Sequence, residues 1–312
     1  ERFDDISAPL NEPGRILTTP EQYAYLKIGE GCDNYCAFCI IPKLRGHYRS
    51  RKMEELIAEA KTLAEDGVKE LIVVAQDTSR YGEDLYGARK LPELLRELCK
   101  IDGFHWIRVH YLYPEAISEE LIDVFATEPK LVKYFDIPFQ HINDEILKKM
   151  NRHYTVEQYL ELIEYARKTV PGITFSSDII VGFPGETEAD FVKTLELVQK
   201  VGYMQLFTFI YSKRTGTKAA EMPDPTPRKE KTDRMTRLLK VQDEIAMALV
   251  KAQVGQTVKV LVEGFGRNEG TLSGRLDNNL TVEFTADASL MGSYANVHLT
   301  GARATVLLGE LA

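Results

Sequence analysis

The chain has 312 residues and a formal net charge of −8, with 44% hydrophobic and 28% charged residues. These values are typical of a globular protein of about two domains, and they exclude disordered, collagen-like and coiled-coil chains. No uncharged apolar run reaches about 18 residues, so we expect no membrane span. The negative charge argues against a whole-protein electrostatic grip on nucleic acid.

The first segment, residues 1–22, is polar and contains prolines, and we interpret it as a linker or lead-in. It has no initiator Met and no apolar targeting region. This pattern predicts an internal start with upstream sequence missing.

From residue 23 onward, strand-like and helix-like segments alternate. Six apolar segments predict strands, at residues 23–29, 70–75, 106–112, 134–137, 173–181 and 204–211. Helical spacing of apolar residues predicts helices at 52–66, 91–101, 117–126, 143–151, 156–169 and 188–200. This alternation predicts parallel strands joined by right-handed crossovers, in an open doubly wound sheet or an incomplete barrel. In either fold, the chemistry lies at the carboxyl ends of the strands.

Three prolines within residues 222–227 mark a boundary. A long helix is predicted at 228–252, and 258–308 reads as short strands separated by turn signals. We therefore predict an α/β domain at 23–212, a linker and long helix at 213–252, and a small all-β domain at 253–312.

Three of the four cysteines, Cys32, Cys36 and Cys39, lie just after the first predicted strand. Such clustering indicates metal binding in a reducing compartment, not disulfides. A structural zinc site needs four ligands. Cys99 lies among leucines in a predicted helix and is expected in the core, so His47 is the candidate for the fourth ligand. An iron–sulfur cluster held by three thiolates instead leaves one iron open to a small molecule.

The C-x3-C-x2-C spacing, with the aromatic Phe38 before the last cysteine, resembles that of the radical S-adenosylmethionine (SAM) enzymes. The resemblance implies an incomplete (β/α)6 barrel and a 4Fe-4S cluster held by Cys32, Cys36 and Cys39. It also implies that the amine and carboxylate of SAM bind the open iron. The reduced cluster then cleaves SAM to methionine and a 5′-deoxyadenosyl radical, which abstracts a hydrogen atom.

Four further segments resemble those of the methylthiotransferases, and residues 253–312 resemble a TRAM domain. The segments are 41–51 (IPKLRGHYRSR), 75–82 (AQDTSRYG), 136–141 (DIPFQH) and 178–187 (DIIVGFPGET). The first half is similar to the RimO type, which modifies the β-carbon of an aspartate in a small-subunit ribosomal protein near the decoding centre. The second half is similar to the MiaB type, which modifies isopentenyladenosine beside the tRNA anticodon. We expect the ribosomal-protein branch, with tRNA as the alternative.

The resemblance also implies partners and a second cluster. Full-length methylthiotransferases have an N-terminal domain with three further cysteines for a second 4Fe-4S cluster, which is implicated in sulfur delivery. This chain has only Cys99 besides the trio, so we expect it to bind one cluster and cleave SAM without completing sulfur insertion. The expected electron donor is a flavodoxin or ferredoxin, and the expected location is cytoplasmic.

Seven residues are candidate SAM contacts, namely Phe38, Gln76, Gln140, Ser177, Asp178, Gly182 and Glu186. Phe38 is expected near the adenine, or else as a hydrophobic plug. The Gly182–Glu186 turn either lets the backbone approach a ligand at a helix N-terminus or is a plain strand-to-helix turn.

The other candidates follow predicted strands. Gln140, Ser177 and Asp178 are expected to point into the barrel mouth, where Asp178 could bind ribose hydroxyls. Gln76 and Asp77 are candidates for the amino group of SAM or for the substrate.

A basic run beside the cysteines comprises Lys43, Arg45, Arg49, Arg51 and Lys52. It suits RNA phosphate or an acidic substrate, or it is a solvated face. Together with the β domain, it supports a competing hypothesis, a non-catalytic RNA- or ribosome-binding protein with a structural zinc. Cys99 and Trp106 are expected in the core.

Overall fold

A computed structural model describes residues 17–312 of the chain. Residues 1–16, most of the predicted lead-in, lie outside the described residues.

The larger part of the molecule is built around six parallel strands. Each of them lies where the sequence predicts a strand. They are β1 (Tyr23–Lys27), β4 (Glu70–Val74), β5 (Trp106–Val109), β6 (Tyr134–Asp136), β7 (Thr174–Val181) and β8 (Gln205–Ile210). The two short strands β2 (Gly29–Glu30) and β3 (Arg49–Ser50) form a separate antiparallel pair.

The parallel strands form two three-stranded sheets, β1-β4-β5 and β6-β7-β8. A parallel bridge between Ile107 and Leu131 connects them at the β5–β6 boundary. The resulting strand order follows the chain without a reversal, whereas a doubly wound sheet reverses at a switch point. Within residues 17–312, β1 and β8 do not pair. The arrangement is therefore an incomplete barrel.

Helices connect the strands. The longer ones are α2 (Met53–Glu65), α4 (Leu91–Cys99), α5 (Glu119–Thr127), α7 (Val156–Thr169), α8 (Glu188–Val201) and α9 (Arg228–Lys251), and the shorter ones are α1 (Ile41–Arg45), α3 (Glu83–Tyr86) and α6 (Asp144–Lys149). Polar caps start several of them: Thr155 and Thr187 each form a capping box, which satisfies backbone N–H groups that the first helical turn leaves free. The apolar faces of the helices pack on the sheet, and Cys99 lies in that core as expected.

The C-terminal part of the chain is a small closed β-barrel. Its strands are β9 (Thr257–Phe265), β10 (Thr271–Arg275), β11 (Thr281–Thr285), β12 (Tyr294–Arg303) and β13 (Val306–Leu311). They close in the order β10-β11-β13-β12-β9 around alternating apolar residues such as Val260, Val282 and Leu299. The predicted all-β fold of this region is confirmed.

A buried ion cluster joins the two barrels. Glu70, at the start of β4, accepts hydrogen bonds from Arg108 Nε at 2.7 Å and from Arg275 Nη2 of the small barrel at 2.5 Å. Trp106, at the start of β5, packs against Tyr294 with ring centroids 4.8 Å apart. The small barrel thus contacts the amino ends of the strands, which leaves their carboxyl ends for a site.

Among the described residues, no helix combines the length and the apolar character needed to span a membrane.

Candidate functional site

The three clustered cysteines lie on a loop between β2 and α1. Gly31 opens the loop at φ +84°, where a Cβ would lie 2.1 Å from the carbonyl oxygen of His47. Only glycine fits this close approach without strain. Cys32 N then donates to the carbonyl of Gly46, which closes the loop.

A buried carboxylate fixes this loop to the end of β4. Asp77 is fully buried and accepts a hydrogen bond from Asn34 Nδ2 at 2.8 Å. It also accepts from the Ser79 amide, and Arg80 Nε donates to Asn34 Oδ1. Burial raises the pKa of Asp77, although its hydrogen bonds oppose the shift. Asp77 therefore positions the cysteine loop, and its side chain is fully engaged.

The three thiols lie close enough to affect one another's ionisation. Burial raises the pKa of Cys32 to about 12, and the neighbouring Cys36 and Cys39 add to the shift. Burial also raises the pKa of Cys39, against the nearby charges of Arg214 and Arg152. Three thiolates at such a site need a compensating positive charge, which a metal cluster supplies. The donor set thus fits a 4Fe-4S cluster with three cysteine ligands.

A single-metal site fits less well. Within residues 17–312, no group of three or more His, Cys, Asp or Glu side chains is arranged to hold one metal ion. His47, the proposed fourth zinc ligand, has a side chain 79% exposed and contacts Asp33 Oδ1 at 2.7 Å. A cubane tolerates more widely spaced thiolates, because each sulfur binds a different iron.

Cys36 has two side-chain partners that sequence reasoning missed. Tyr113 Oη lies 2.9 Å from Cys36 Sγ, and Arg152 Nη1 donates to the same sulfur at 3.5 Å. Both residues are far from the cysteines in sequence. The sequence shows polar residues after β5 and α6, but only the fold shows that they reach the cysteine loop.

A cavity of about 210 Å³ opens beside the cysteine loop at the carboxyl ends of β7 and β8. Three of the seven candidate SAM residues line it, together with one cysteine and two residues that were not predicted. The six are Phe38, Cys39, Gln140, Asp178, Tyr211 and Arg214. This cavity is the space next to the thiols that suits a small molecule.

The polar wall of the cavity has an unusual carboxyl group. Burial raises the pKa of Asp178 to about 6, and the charge of Asp136 adds to the shift. Gln140 holds φ +78° and donates its amide N–H to the Asp178 carbonyl at 2.7 Å. A non-glycine residue at positive φ is uncommon and marks a constrained site.

Gln76 does not line this cavity, but it does retain an unused polar atom. Its Oε1 is buried and has no hydrogen-bond partner among the described residues. A buried oxygen of this kind needs a hydrogen-bond donor, which a bound ligand or a water molecule supplies.

Ser177 is predicted from the sequence to point into the barrel mouth, but its surroundings differ from that prediction. Its side chain is fully buried and its Oγ accepts a hydrogen bond from Phe139 N at 3.0 Å. The neighbouring Asp178 lines the cavity, and successive residues of a strand point to opposite faces. Ser177 therefore faces away from the barrel mouth, contrary to expectation.

Gly182 and Glu186 also lie outside the cavity lining. The Glu186 carboxylate accepts hydrogen bonds from the Gly182 amide and from Arg234 Nη1 at 2.9 Å. His141 Nδ1 accepts from the Asn143 amide, so its Nε2 donates to Glu186 at 3.2 Å. The turn is self-satisfied and clamped to α9, which supports the plain strand-to-helix reading.

Contacts within the protein partly neutralise the basic run. Arg51 is buried and pairs with Glu59 at 2.7 Å, and Arg45 lies 3.8 Å from Glu30. Lys43 is exposed, and Lys52, also exposed, lies 3.7 Å from Glu55. The exposed positive surface beside the loop is thus smaller than the sequence indicates.

A larger cavity, of about 530 Å³, lies elsewhere, between α5 and α7. Its lining includes Glu115, Ile117 and Tyr165, and none of the candidate SAM residues. We place the candidate site at the smaller cavity, because that one adjoins the thiols.

Comparison with known proteins supports this assignment. Residues 26–198 match the family model of the radical SAM superfamily, and residues 251–312 match that of the TRAM domain. Among solved structures, coproporphyrinogen III oxidase (HemN) from Escherichia coli superposes with a TM-score of 0.54 at 17% identity, covering 84% of this chain and 68% of that chain. The radical SAM methyltransferase TsrM from Kitasatospora setae gives 0.53 at 19%, covering 64% and 36%. Both similarities concern the fold alone.

Similar sequences carry a more specific name. The "ribosomal protein uS12 methylthiotransferase RimO" of Lachnoclostridium phytofermentans is 46% identical over 99% of this chain and 72% of that protein. The protein of the same name from Clostridioides difficile is 45% identical, over 99% and 71%.

Proposed function

The chain belongs to the radical SAM methylthiotransferase family of the RimO type, and on that premise we propose that it acts on ribosomal protein uS12. The proposed reaction adds a methylthio group to the β-carbon of an aspartate near the decoding centre. The single observation that carries the chemistry is the cysteine trio beside a cavity lined by Phe38 and Asp178. The tRNA and zinc-protein alternatives are not favoured, because the reported relatives carry the uS12 name.

In this proposal, Cys32, Cys36 and Cys39 hold a 4Fe-4S cluster. When bound, such a cluster supplies the electron that cleaves SAM and so generates the radical that abstracts hydrogen. Asp77 and Asn34 keep the loop at the strand ends, and Gly31 allows its tight entry.

The cavity wall offers complementary groups for SAM. With SAM bound, the Asp178 carboxylate would accept hydrogen bonds from the ribose hydroxyls, and Phe38 would pack against the adenine. The side-chain amide of Gln140 would bind polar edges of SAM, and the Arg214 guanidinium would face its carboxylate. Gln76 lies outside the cavity lining. Its Oε1, which has no partner among the described residues, would accept a hydrogen bond from the amino group of SAM or from the substrate. We leave Ser177, Gly182 and Glu186 out of this set.

The partners follow from the same proposal. Lys43 and Lys52 are exposed beside the cysteine loop, where they suit an acidic electron donor such as a flavodoxin or ferredoxin. A ribosomal-protein substrate implies that the enzyme works in the cytoplasm. The chain contains one cysteine besides the trio, so a second cluster with three cysteine ligands needs residues beyond this sequence.

A side-by-side crosslinking experiment tests the substrate. The cluster-loaded chain is mixed with uS12 or with a tRNA anticodon stem-loop, and formation of 5′-deoxyadenosine from SAM is followed in parallel. We expect crosslinks to uS12, with SAM cleavage in the reduced protein. Crosslinks to the stem-loop alone would overturn the choice of substrate, and absence of SAM cleavage would overturn the chemistry.

A further inference from the structure

Arg152 is a buried cation with no carboxylate oxygen at ion-pair distance. The carboxyls of Glu115, Asp77 and Asp178 are near enough for its charge to oppose the rise of their pKa, but they do not pair with it. The Arg152 side chain is 5% exposed, and within residues 17–312 none of the ion pairs at or below 4.0 Å includes it. Its guanidinium donates instead to Tyr154 Oη at 2.9 Å, to the Pro138 carbonyl, and to Cys36 Sγ at 3.5 Å. Burying a charge is costly unless an opposite charge lies nearby.

The ring of Tyr113 completes the surroundings of this cation. The Arg152 guanidinium carbon lies 3.8 Å from the Tyr113 ring centroid, which is a close cation–π contact. Tyr113 Oη lies 2.9 Å from Cys36 Sγ. A metal-bound thiolate carries no proton, so with a cluster in place the hydroxyl must donate to the sulfur.

The sulfur atoms of the other two cysteines have different hydrogen-bond partners. Among the described residues, no side chain donates a hydrogen bond to Cys32 or Cys39, which interact with backbone amides at Asn34 and Ile41. Two side-chain donors, one of them cationic, therefore converge on Cys36 alone. The contacts single out this one ligand of the three.

We propose that Arg152 and Tyr113 are positioning residues that seat the Cys36 sulfur and make the cluster easier to reduce. The inference rests on the proposed binding of a 4Fe-4S cluster by the cysteine trio. Reduction adds one negative charge to the cluster, and a buried cation stabilises the more negative state more strongly. Hydrogen bonds to cluster sulfurs act in the same direction.

The test is the midpoint potential of the reconstituted cluster, measured by a redox titration monitored by electron paramagnetic resonance. The variants are Arg152→Met, Arg152→Lys and Tyr113→Phe, with Arg167→Met, at an exposed arginine, as the control. Arg167 also stacks on an aromatic ring, that of Phe175, and donates to a backbone carbonyl, but it has no cysteine contact. Iron and sulfide per chain are measured first for every protein.

We expect a more negative midpoint potential in Arg152→Met, smaller shifts in the same direction in Arg152→Lys and Tyr113→Phe, and no shift in Arg167→Met. An unchanged potential in cluster-loaded Arg152→Met would overturn the proposal. If that variant holds no cluster, Tyr113→Phe decides in the same way, since it removes one hydroxyl and no charge.

The proposed function and the role of Arg152 and Tyr113 fail on different results. Wild-type chain without iron and sulfide would overturn the proposed function itself. Full clusters in every protein with identical potentials would overturn only the role of Arg152 and Tyr113.

Discussion

Asn34 and Asp77 lie 43 residues apart in sequence and meet through a 2.8 Å hydrogen bond in the protein interior. Asn34 belongs to the cysteine loop, and Asp77 to the turn that follows β4. The contact fixes the cysteine loop, which has little regular structure of its own, to the barrel. This is how the fold presents three thiols at the carboxyl ends of its strands.

The first prediction concerns this anchor. Asp77→Ala removes the acceptor for Asn34 and for the Ser79 amide, which leaves buried donors unpaired. We expect the free energy of unfolding to fall by about 1–3 kcal/mol and cluster content after reconstitution to fall with it. Urea denaturation and iron analysis measure the two effects. Asp66→Ala, at an exposed position, is the control. Wild-type cluster content and stability in Asp77→Ala would refute the anchoring role.

The second prediction uses the raised pKa of Asp178. Its carboxyl has a pKa of about 6 in the folded protein, mainly through burial, against an ordinary value of 3.8. A raised carboxyl pKa means that stability falls as the pH rises from the unfolded-state value, near 3.8, to the folded value of about 6, and stays lower above it, because the buried group must then ionise. Asp178→Asn should therefore raise the stability of the cluster-free protein by about 1–2 kcal/mol at pH 8. Below about pH 4, where this carboxyl is protonated in both the folded and the unfolded protein, the difference should largely vanish.

Denaturation of both proteins at the two pH values checks this sign. Asp123→Asn, at an exposed position, is the control and should change little at either pH. A variant that is less stable than the wild type at pH 8 would contradict the argument.

The third prediction is the functional cost of the same change. If the Asp178 carboxylate accepts hydrogen bonds from ribose, Asp178→Asn should weaken SAM binding by about tenfold or more, since hydrogen bonds to charged groups are the stronger ones. Calorimetric titration of the cluster-loaded protein with SAM measures it. Asp123→Asn serves again as the reference, and equal affinity in Asp178→Asn would remove Asp178 from the proposed site.

The fourth prediction addresses the junction between the barrels. Glu70 is buried, and Arg108 and Arg275 outweigh the effect of burial and lower its pKa. Glu70→Gln leaves Arg108 buried without its partner, so we expect a loss of about 3 kcal/mol at pH 7. A lowered carboxyl pKa contributes stability above the unfolded-state value, and that contribution disappears as the pH falls through the folded value. The gap between wild type and variant should therefore shrink below about pH 4.

Urea denaturation across this pH range provides the measurement. The control is Glu120→Gln, which breaks a surface pair with Arg96 and should cost less than about 1 kcal/mol. Equal losses of unfolding free energy in the two variants would contradict the expectation that the buried Glu70 cluster stabilises the protein more than a surface ion pair does.

The sequence predicts the alternating elements well, because apolar periodicity and caps such as Thr155 and Thr187 are local signals. It does not predict which face of β7 each residue takes. Ser177 and Asp178 lie in a largely buried strand. Because both of its faces are covered, the sequence does not alternate between polar and apolar residues in a way that shows which face points into the barrel. The sequence therefore predicts both residues in the barrel mouth, whereas only Asp178 reaches it.

The roles of long-range partners were also beyond the sequence. A turn such as 182–186 has the same glycines whether it binds an anion or its own Glu186, and only the approach of Arg234 from α9 distinguishes the two. Arg152 and Arg214 carry no local motif, and they reach the cysteine loop only because the barrel folds. The cysteine trio itself needed no such context, since its spacing is a strong local signal.

The central claim is that Cys32, Cys36 and Cys39 hold one 4Fe-4S cluster. The most direct test is the content of iron, sulfide and zinc per chain after anaerobic reconstitution, in the wild type and in Cys36→Ala. We predict about four irons and four sulfides per wild-type chain, with SAM cleavage that Cys36→Ala abolishes. About one zinc per chain without sulfide, or full SAM cleavage in Cys36→Ala, would contradict the account.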